Sequence, residues 1–427
     1  MEKIFDKQLV GACIFGQSGG PTSVINASAY GVFKTALDSE CITKVYGASH
    51  GIKGVLNDEL FDMGEEEEYE LRLLLNTPSS ELGSCRYKMK APEVDDTDYK
   101  RILEIFKKYN VRYFFYNGGN DSMDTCEKIS RYMEKVGYEC RVIGVPKTID
   151  NDLFGTDHCP GYGSAAKYIA TTCMEIGKDT NVYDTGMVTV VEVMGRHAGW
   201  LTAAAALATE YSHGTGPDLI YLPERDFTLE ALADDVRQVL LHKNKCFVVV
   251  SEGLHYADGT FVSEAKTSGT DGFGHAQLGG LATRLAEYLK ERLNLNKVRG
   301  IELSLLQRAG AHLASAVDVD EAFNAGKAAV EAAIAGETGK MVAFERDENS
   351  PIYKCNTVLL SLSSVANFEK KIPQEWITDD GNYVTSDFIN YVLPLIQGEP
   401  KIPRENSLPR YARLKKVKAA VPETVNA

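Results

Sequence analysis

The chain has 427 residues, 44% hydrophobic and 25% charged, an ordinary balance for an enzyme-sized protein of two or three domains. Its formal net charge of -14, from 46 Lys plus Arg against 60 Asp plus Glu, argues against non-specific binding to nucleic acid or anionic membranes and leaves room for a local basic pocket. The nine cysteines, an odd number scattered with no Cys-x-x-Cys, suggest neither a disulfide framework nor a zinc ribbon. Residues 1–7 carry acids and no apolar run, and the apolar runs elsewhere fall far short of a membrane span, so the expected location is the cytoplasm.

In chain order, Leu9 to Phe15 reads as a buried strand, then comes the turn Gly16-Gln-Ser-Gly-Gly-Pro-Thr-Ser23, then a helix from Val24 to Leu37. A strand, a glycine turn and a helix make an anion cradle, because helix N-terminal N–H groups are unpaired. The turn matches neither the Gly-x-Gly-x-x-Gly fingerprint nor a P-loop. Cys41 to Ala48 reads as a strand, and the acidic run Glu65 to Glu68 with Glu70 as a solvated face. Arg86 closes a polar loop, where a guanidinium is suited to gripping phosphate. Asp98 to Tyr109 is periodic as a helix. Val111 to Tyr116 is an aromatic strand opening into Asn117-Gly-Gly-Asn-Asp-Ser122, followed by a helix from Met123 to Val136.

Strand Cys140 to Val145 then delivers Val145-Pro-Lys-Thr-Ile-Asp-Asn-Asp152. Lys147, Thr148, Asp150 and Asp152 crowd into six residues, an expensive grouping of like carboxylates unless something charged binds there. A polar turn explains one such loop. It explains badly three strand ends that each open into a polar loop, which is how the ligand-binding carboxyl edge of a parallel sheet reads. Beyond lie helices at Ala165 to Ile176, Leu201 to Thr209, Leu278 to Leu289 and Val317 to Ile334. Strands are expected at Thr185 to Val193, Leu219 to Tyr221, Cys246 to Val250, Val298 to Leu305, Met341 to Phe344 and Thr357 to Leu362. From Pro373 the chain is irregular, with Trp376, Tyr383, Phe388 and Tyr391 expected to pack on the body, and 401–427 reads as a basic, mobile tail. The pattern predicts an α/β protein of two lobes with the site between them.

Pro146-Lys-Thr-Ile-Asp-Asn-Asp152 and Val191-Glu-Val-Met-Gly-Arg196, with their spacing, make the chain resemble the type A phosphofructokinases from about Leu9 to Phe344, and their pyrophosphate-dependent branch in particular. The resemblance implies two Rossmann-like three-layer α/β/α lobes with the active site in the cleft between them. The phosphoryl-donor lobe would take 1–155 with part of 270–345, and the fructose 6-phosphate lobe 156–270 with part of 290–400. The implied reaction is reversible, magnesium-dependent phosphoryl transfer to the 1-hydroxyl of fructose 6-phosphate, in a homodimer or homotetramer.

Residue by residue, the resemblance makes Asp150 the general base, with Thr148, Ile149 and Asp152 orienting the reacting groups and Gly19 and Arg86 completing the binding set. Met194, Gly195 and Arg196 would hold the sugar, Arg196 also neutralising charge on the transferred group. Glu252 would accept sugar hydroxyls, and Arg299 and Arg308 would grip the 6-phosphate from one pocket. Two positions depart: Met187 stands where bacterial ATP-dependent members have an arginine from the neighbouring subunit, and Leu305 where they have a phosphosugar-binding histidine. Donor choice rests on Gly118-Gly-Asn-Asp-Ser122 and Lys147. Asp121 fills the space of a nucleotide α-phosphate, where the ATP-dependent members have glycine, and Lys147, also glycine in them, balances charge on a pyrophosphate leaving group. Asn120 replaces the usual magnesium-associated aspartate, so the metal would meet Asn120, Asp121 or the pyrophosphate itself. The competing readings are an ATP-dependent kinase on the same fold and a non-catalytic sugar-phosphate sensor. Retention of Asp150, Asp152 and Arg196 together speaks against the sensor.

Overall fold

The computed structural model describes residues 9–263 and 278–422. In the first half, strands β1 (Gly11–Gln17), β2 (Ile42–Ala48), β3 (Leu60–Asp62), β4 (Val111–Gly118) and β5 (Arg141–Pro146) alternate with helices α1 (Ile25–Leu37), α2 (Ile52–Asn57), α3 (Glu68–Leu73), α4 (Thr97–Lys108) and α5 (Asn120–Lys135). The middle adds α6 (Tyr162–Thr180), β6 (Met187–Val193), α7 (Trp200–Ala203), α8 (Ala206–Tyr211), β7 (Leu219–Tyr221), α9 (Leu229–His242), β8 (Lys245–Ser251), α10 (Leu281–Arg292) and β9 (Val298–Glu302). The chain then forms α11 (Leu306–Ala309), α12 (Ala316–Ile334), β10 (Lys340–Arg346), β11 (Cys355–Ser361), α13 (Leu362–Val365) and α14 (Ser386–Val392).

Two sheets result. The seven-stranded sheet runs β11-β10-β5-β4-β1-β2-β3 and the four-stranded one β7-β8-β6-β9. Strands β2, β1, β4, β5 and β10 pair in parallel, and antiparallel β3 and β11 close the edges. Every residue of β1 is buried, as a strand covered by helices on both faces requires. One face of the large sheet packs Ile102, Phe106 and Met123 of α4 and α5, and the other packs Val32 and Phe33 of α1 with Ala325 and Ala329 of α12. The small sheet is sandwiched likewise, by α6 to α8 with the C-terminal aromatics on one side and by α9 and α10 on the other. The chain therefore has the expected α/β architecture of two three-layer lobes.

Several expectations need correction. Helix α5 begins at Asn120, not Met123, which puts Asn120 and Asp121 in its first turn. Leu201 to Thr209 is two short helices, and the strand from Val298 stops at Glu302. The large sheet takes β10 and β11 back as far as Ser361, past residue 345. Residues 401–422 do not form a mobile tail. Arg410 pairs with Glu70, Lys415 with Glu67 at 2.6 Å and Lys416 with Glu81 at 3.1 Å. The Glu66 carboxylate accepts the backbone N–H groups of Lys415 and Lys416, both at 2.7 Å. The acidic run read as a solvated face is the anchor of a C-terminal strap. No helix among the described residues is long and apolar enough to cross a membrane.

Candidate active site

Strand β1 turns abruptly because Gly19 takes a φ of 77°, a left-handed conformation that glycine adopts freely. That turn is tied down by Gly19 N–H donating to the Cys85 carbonyl at 3.0 Å and by Ser84 Oγ donating to the Gly19 carbonyl at 2.7 Å. The tie brings the loop carrying Arg86 beside the glycine turn. Gln17 and Asn26, both fully buried, reinforce it: the Gln17 side chain donates to Asn26 Oδ1 at 2.9 Å, and both accept backbone N–H groups of the same loop, at Leu82 and Glu81. Strands β4 and β5 end side by side, with Lys147 N–H donating to the Gly118 carbonyl at 3.0 Å. Since β1 connects to β2 on one side and pairs with β4 on the other, the crevice lies where ligands enter open α/β sheets.

From the opposite lobe, β6 runs into Met194-Gly195-Arg196 and β8 into Ser251 and Glu252. The Glu252 carboxylate accepts Gly195 N–H at 3.4 Å, and Ser251 Oγ donates to the Gly195 carbonyl at 2.5 Å. Gln307, buried, accepts Met194 N–H at 3.1 Å and so places that turn.

The resulting cleft encloses about 290 Å³ and is lined by Gly19, Arg86, Asn120, Asp121, Lys147, Thr148, Ile149, Asp150, Asp152, Met194, Arg196, Glu252 and Arg308. Gly195, between two lining residues, is not itself among them. Arg299 does not join them: it sits on the exposed edge strand β9, paired with Asp179 at 2.6 Å, so the expectation that Arg299 and Arg308 share one pocket is corrected, since only Arg308 lines this cleft. The strand ends at Glu302, and Arg299 is engaged by Asp179 instead of lining the cleft.

The electrostatics are those of crowded, largely buried charges. Burial, with Asp152 and Glu252 nearby, pushes the Asp150 carboxyl up to about 7. Burial and Glu369 raise Asp152 likewise. Burial lowers Lys147 to about 8 against the pull of Asp150, and its ammonium donates to the Gly20 carbonyl at 2.6 Å. Arg308 is lowered by burial and by Arg86 beside it. Thr148 Oγ accepts Asp150 N–H at 3.0 Å, fixing the turn on which the carboxylate stands.

Sequence reasoning missed Glu369, which enters the cleft from the C-terminal segment, and Gln307, whose role exists only in three dimensions. His197, the residue after the Met-Gly-Arg motif, was also missed and lines the cleft. Lys88, a cation 3.9 Å from the Asp121 carboxylate, was also missed. The trio His158, Glu321 and Cys355 has metal-ligand spacing but lies outside the cleft lining, and both ring nitrogens of His158 already bond carboxylates, Asp157 at 2.8 Å and Glu321 at 2.6 Å. Those carboxylates raise His158 to about 9, so it is a buried imidazolium in an ion knot.

The sequence profile for phosphofructokinase matches residues 13–333. The chain belongs to the phosphofructokinase family. It is 45% identical to the pyrophosphate--fructose 6-phosphate 1-phosphotransferase of Halomonas elongata, over 96% of this chain and 98% of that one. It is 44% identical to the protein of the same description from Methylococcus capsulatus, over 97% of each chain. The crystal structure of a pyrophosphate-dependent phosphofructokinase from Nitrosospira multiformis superimposes with a TM-score of 0.87 at 40% identity, covering 96% of this chain and 98% of that one. The similarity extends well past residue 333, so the C-terminal segment that brings Glu369 to the cleft is part of what this phosphofructokinase shares with these relatives.

Proposed function

We propose that this phosphofructokinase is a pyrophosphate--fructose 6-phosphate 1-phosphotransferase, moving a phosphoryl group from pyrophosphate to the 1-hydroxyl of fructose 6-phosphate and releasing phosphate. Asp150 takes the hydroxyl proton as the new P–O bond forms, a role for which a carboxyl raised to about 7 is well matched at neutral pH. Arg196, Lys147 and Arg86 spread cationic charge along the path of the transferred group, where phosphoryl transfer depends on electrostatic stabilisation. Met194, Gly195 and Glu252 hold the sugar, and Arg308 meets its 6-phosphate.

The residues present also fit magnesium. Asn120 Oδ1 is buried with no hydrogen-bond partner, an oxygen acceptor suited to a hard cation, and Asp121 supplies a carboxylate next to it. The cation would neutralise pyrophosphate oxygens there. Arg299 would meet the 6-phosphate only in the cleft of a second copy, since it does not line its own. This fits a homodimer or homotetramer in which an exposed β9 edge meets a second copy.

The observation that carries the donor assignment is the presence of Asp121 and Lys147 in one cleft with Asp150. Asp121 adds bulk and like charge against a nucleotide α-phosphate in a poorly solvated crevice. Lys147 offers a fixed cation to a donor that has no nucleoside to bind. The test is a fructose 1,6-bisphosphate assay with magnesium and each donor. Turnover with pyrophosphate and little with ATP is expected; preference for ATP overturns the assignment.

A further inference from the structure

Asn151, between the two cleft aspartates, points away from the cleft. It is fully buried and holds a left-handed φ of 55°, a conformation that asparagine tolerates but that needs support. Its side chain is bonded at both ends: Oδ1 accepts Cys159 N–H at 2.9 Å, and Nδ2 donates to Tyr391 Oη at 2.8 Å. Tyr391 Oη in turn donates to the Asp157 carbonyl at 2.7 Å, which uses its one proton. The phenol is itself clamped, with the Arg346 guanidinium 4.9 Å over the ring and Nη1 donating to the Tyr391 carbonyl at 3.1 Å.

Tyr391 lies on α14, beyond residue 333 where the family profile ends. The same C-terminal segment grips the other side of the loop: Lys370 N–H donates to the Asp152 carbonyl at 2.8 Å, and its ammonium to the Thr156 and Asp157 carbonyls at 3.1 and 2.6 Å. Asp150 and Asp152 thus stand on a turn whose middle residue is bolted to the end of the chain.

We propose that Tyr391 is a positioning residue for phosphoryl transfer, acting through Asn151 to hold the Asp150 carboxylate against the attacking hydroxyl. Without the phenolic oxygen the buried Asn151 amide has no acceptor, and the left-handed turn relaxes. Asp150 then rotates out of hydrogen-bond reach of the sugar, while the arginines that bind both substrates stay where their own strands put them.

This inference rests on the phosphotransferase reading above, and the experiment separates the two. Steady-state kinetics with pyrophosphate and fructose 6-phosphate are run on the parent, Tyr391→Phe, Asn151→Gly and the double variant. Glycine accepts the left-handed φ without strain, so Asn151→Gly removes the tether to Tyr391, and with it the acceptor of Cys159 N–H, without adding a steric penalty at the turn. Each single variant is expected to lose about tenfold or more in kcat, the scale on which small misplacements act, with both KM values within about twofold of the parent. The double variant is expected to lose clearly less than the product of the two single losses, because both changes break the Asn151–Tyr391 bond, although each also breaks one of its own, at Cys159 N–H and at the Asp157 carbonyl. A parental kcat in Tyr391→Phe, or a rise in KM at unchanged kcat, overturns the positioning role. Absence of pyrophosphate turnover by the parent defeats the phosphotransferase reading and this inference with it.

Discussion

Two charged regions of the molecule make opposite use of similar residues. In the C-terminal strap, Arg410, Lys415 and Lys416 each meet a glutamate, and the backbone N–H groups fall on Glu66 and Glu70. In the cleft, Arg86, Lys147, Arg196 and Arg308 face Asp121, Asp150, Asp152, Glu252 and Glu369, yet burial shifts several of them away from their ordinary protonation. Charges each met by a partner of opposite sign at the margin of the fold hold that margin and change little else. Charges packed together behind low-dielectric walls are held at a free-energy cost, which a polyanion and a cation offset on binding.

That contrast breaks first at Asp150. Asp150→Asn is expected to lower kcat by a factor of about 10²–10⁴, the range of general-base catalysis, while fructose 6-phosphate binding persists, as measured with saturating substrates. Near-parental kcat removes Asp150 from the chemistry.

Donor choice comes next. Asp121→Gly is expected to raise the ATP-to-pyrophosphate ratio of kcat/KM by relieving overlap and repulsion, and Lys147→Gly to damage the pyrophosphate reaction selectively. One exchange alone is not expected to make an efficient ATP enzyme, since neighbouring effects do not add. An unchanged donor ratio in both variants contradicts the roles given to this pair.

The cleft's shifted groups also predict a narrow pH profile. Asp150 acts only when deprotonated, so activity falls as pH drops through about 7; Lys147 acts only when protonated, so activity falls as pH rises through about 8. A bell in kcat/KM between those limbs is expected. Asp152→Asn removes a neighbouring negative charge and should move the acid limb to lower pH.

The strap should show the smallest effects. Arg410→Ala breaks a mostly buried pair with Glu70 and is expected to cost about 1–2 kcal/mol of stability in denaturant titration, at unchanged kcat. Lys415→Ala, at an exposed pair, should leave both nearly untouched. A large kcat loss in either would mean that the strap communicates with the cleft.

The sequence by itself determined the α/β alternation, the three loops at the carboxyl edge of the first sheet and most of the cleft's side chains. Strand and loop are local: apolar runs and Gly, Asn and Asp clusters write them within a few residues, and Asp121, Lys147, Asp150 and Arg196 ride on them. Only the tertiary structure decided the rest. Glu369 and Tyr391 reach the catalytic loop across more than two hundred residues of chain, and Gln307 places the Met194 turn through a single buried bond. Arg299 was assigned to the 6-phosphate by the family resemblance, with its nine-residue separation from Arg308 as support, and it is not among the residues lining the cleft, because separation along the chain does not decide which neighbour a side chain meets. The basic tail was read as mobile because its partners, Glu66, Glu67 and Glu70, lie at the other end of the sequence. Pairing over such distances is settled by packing, which no local pattern records.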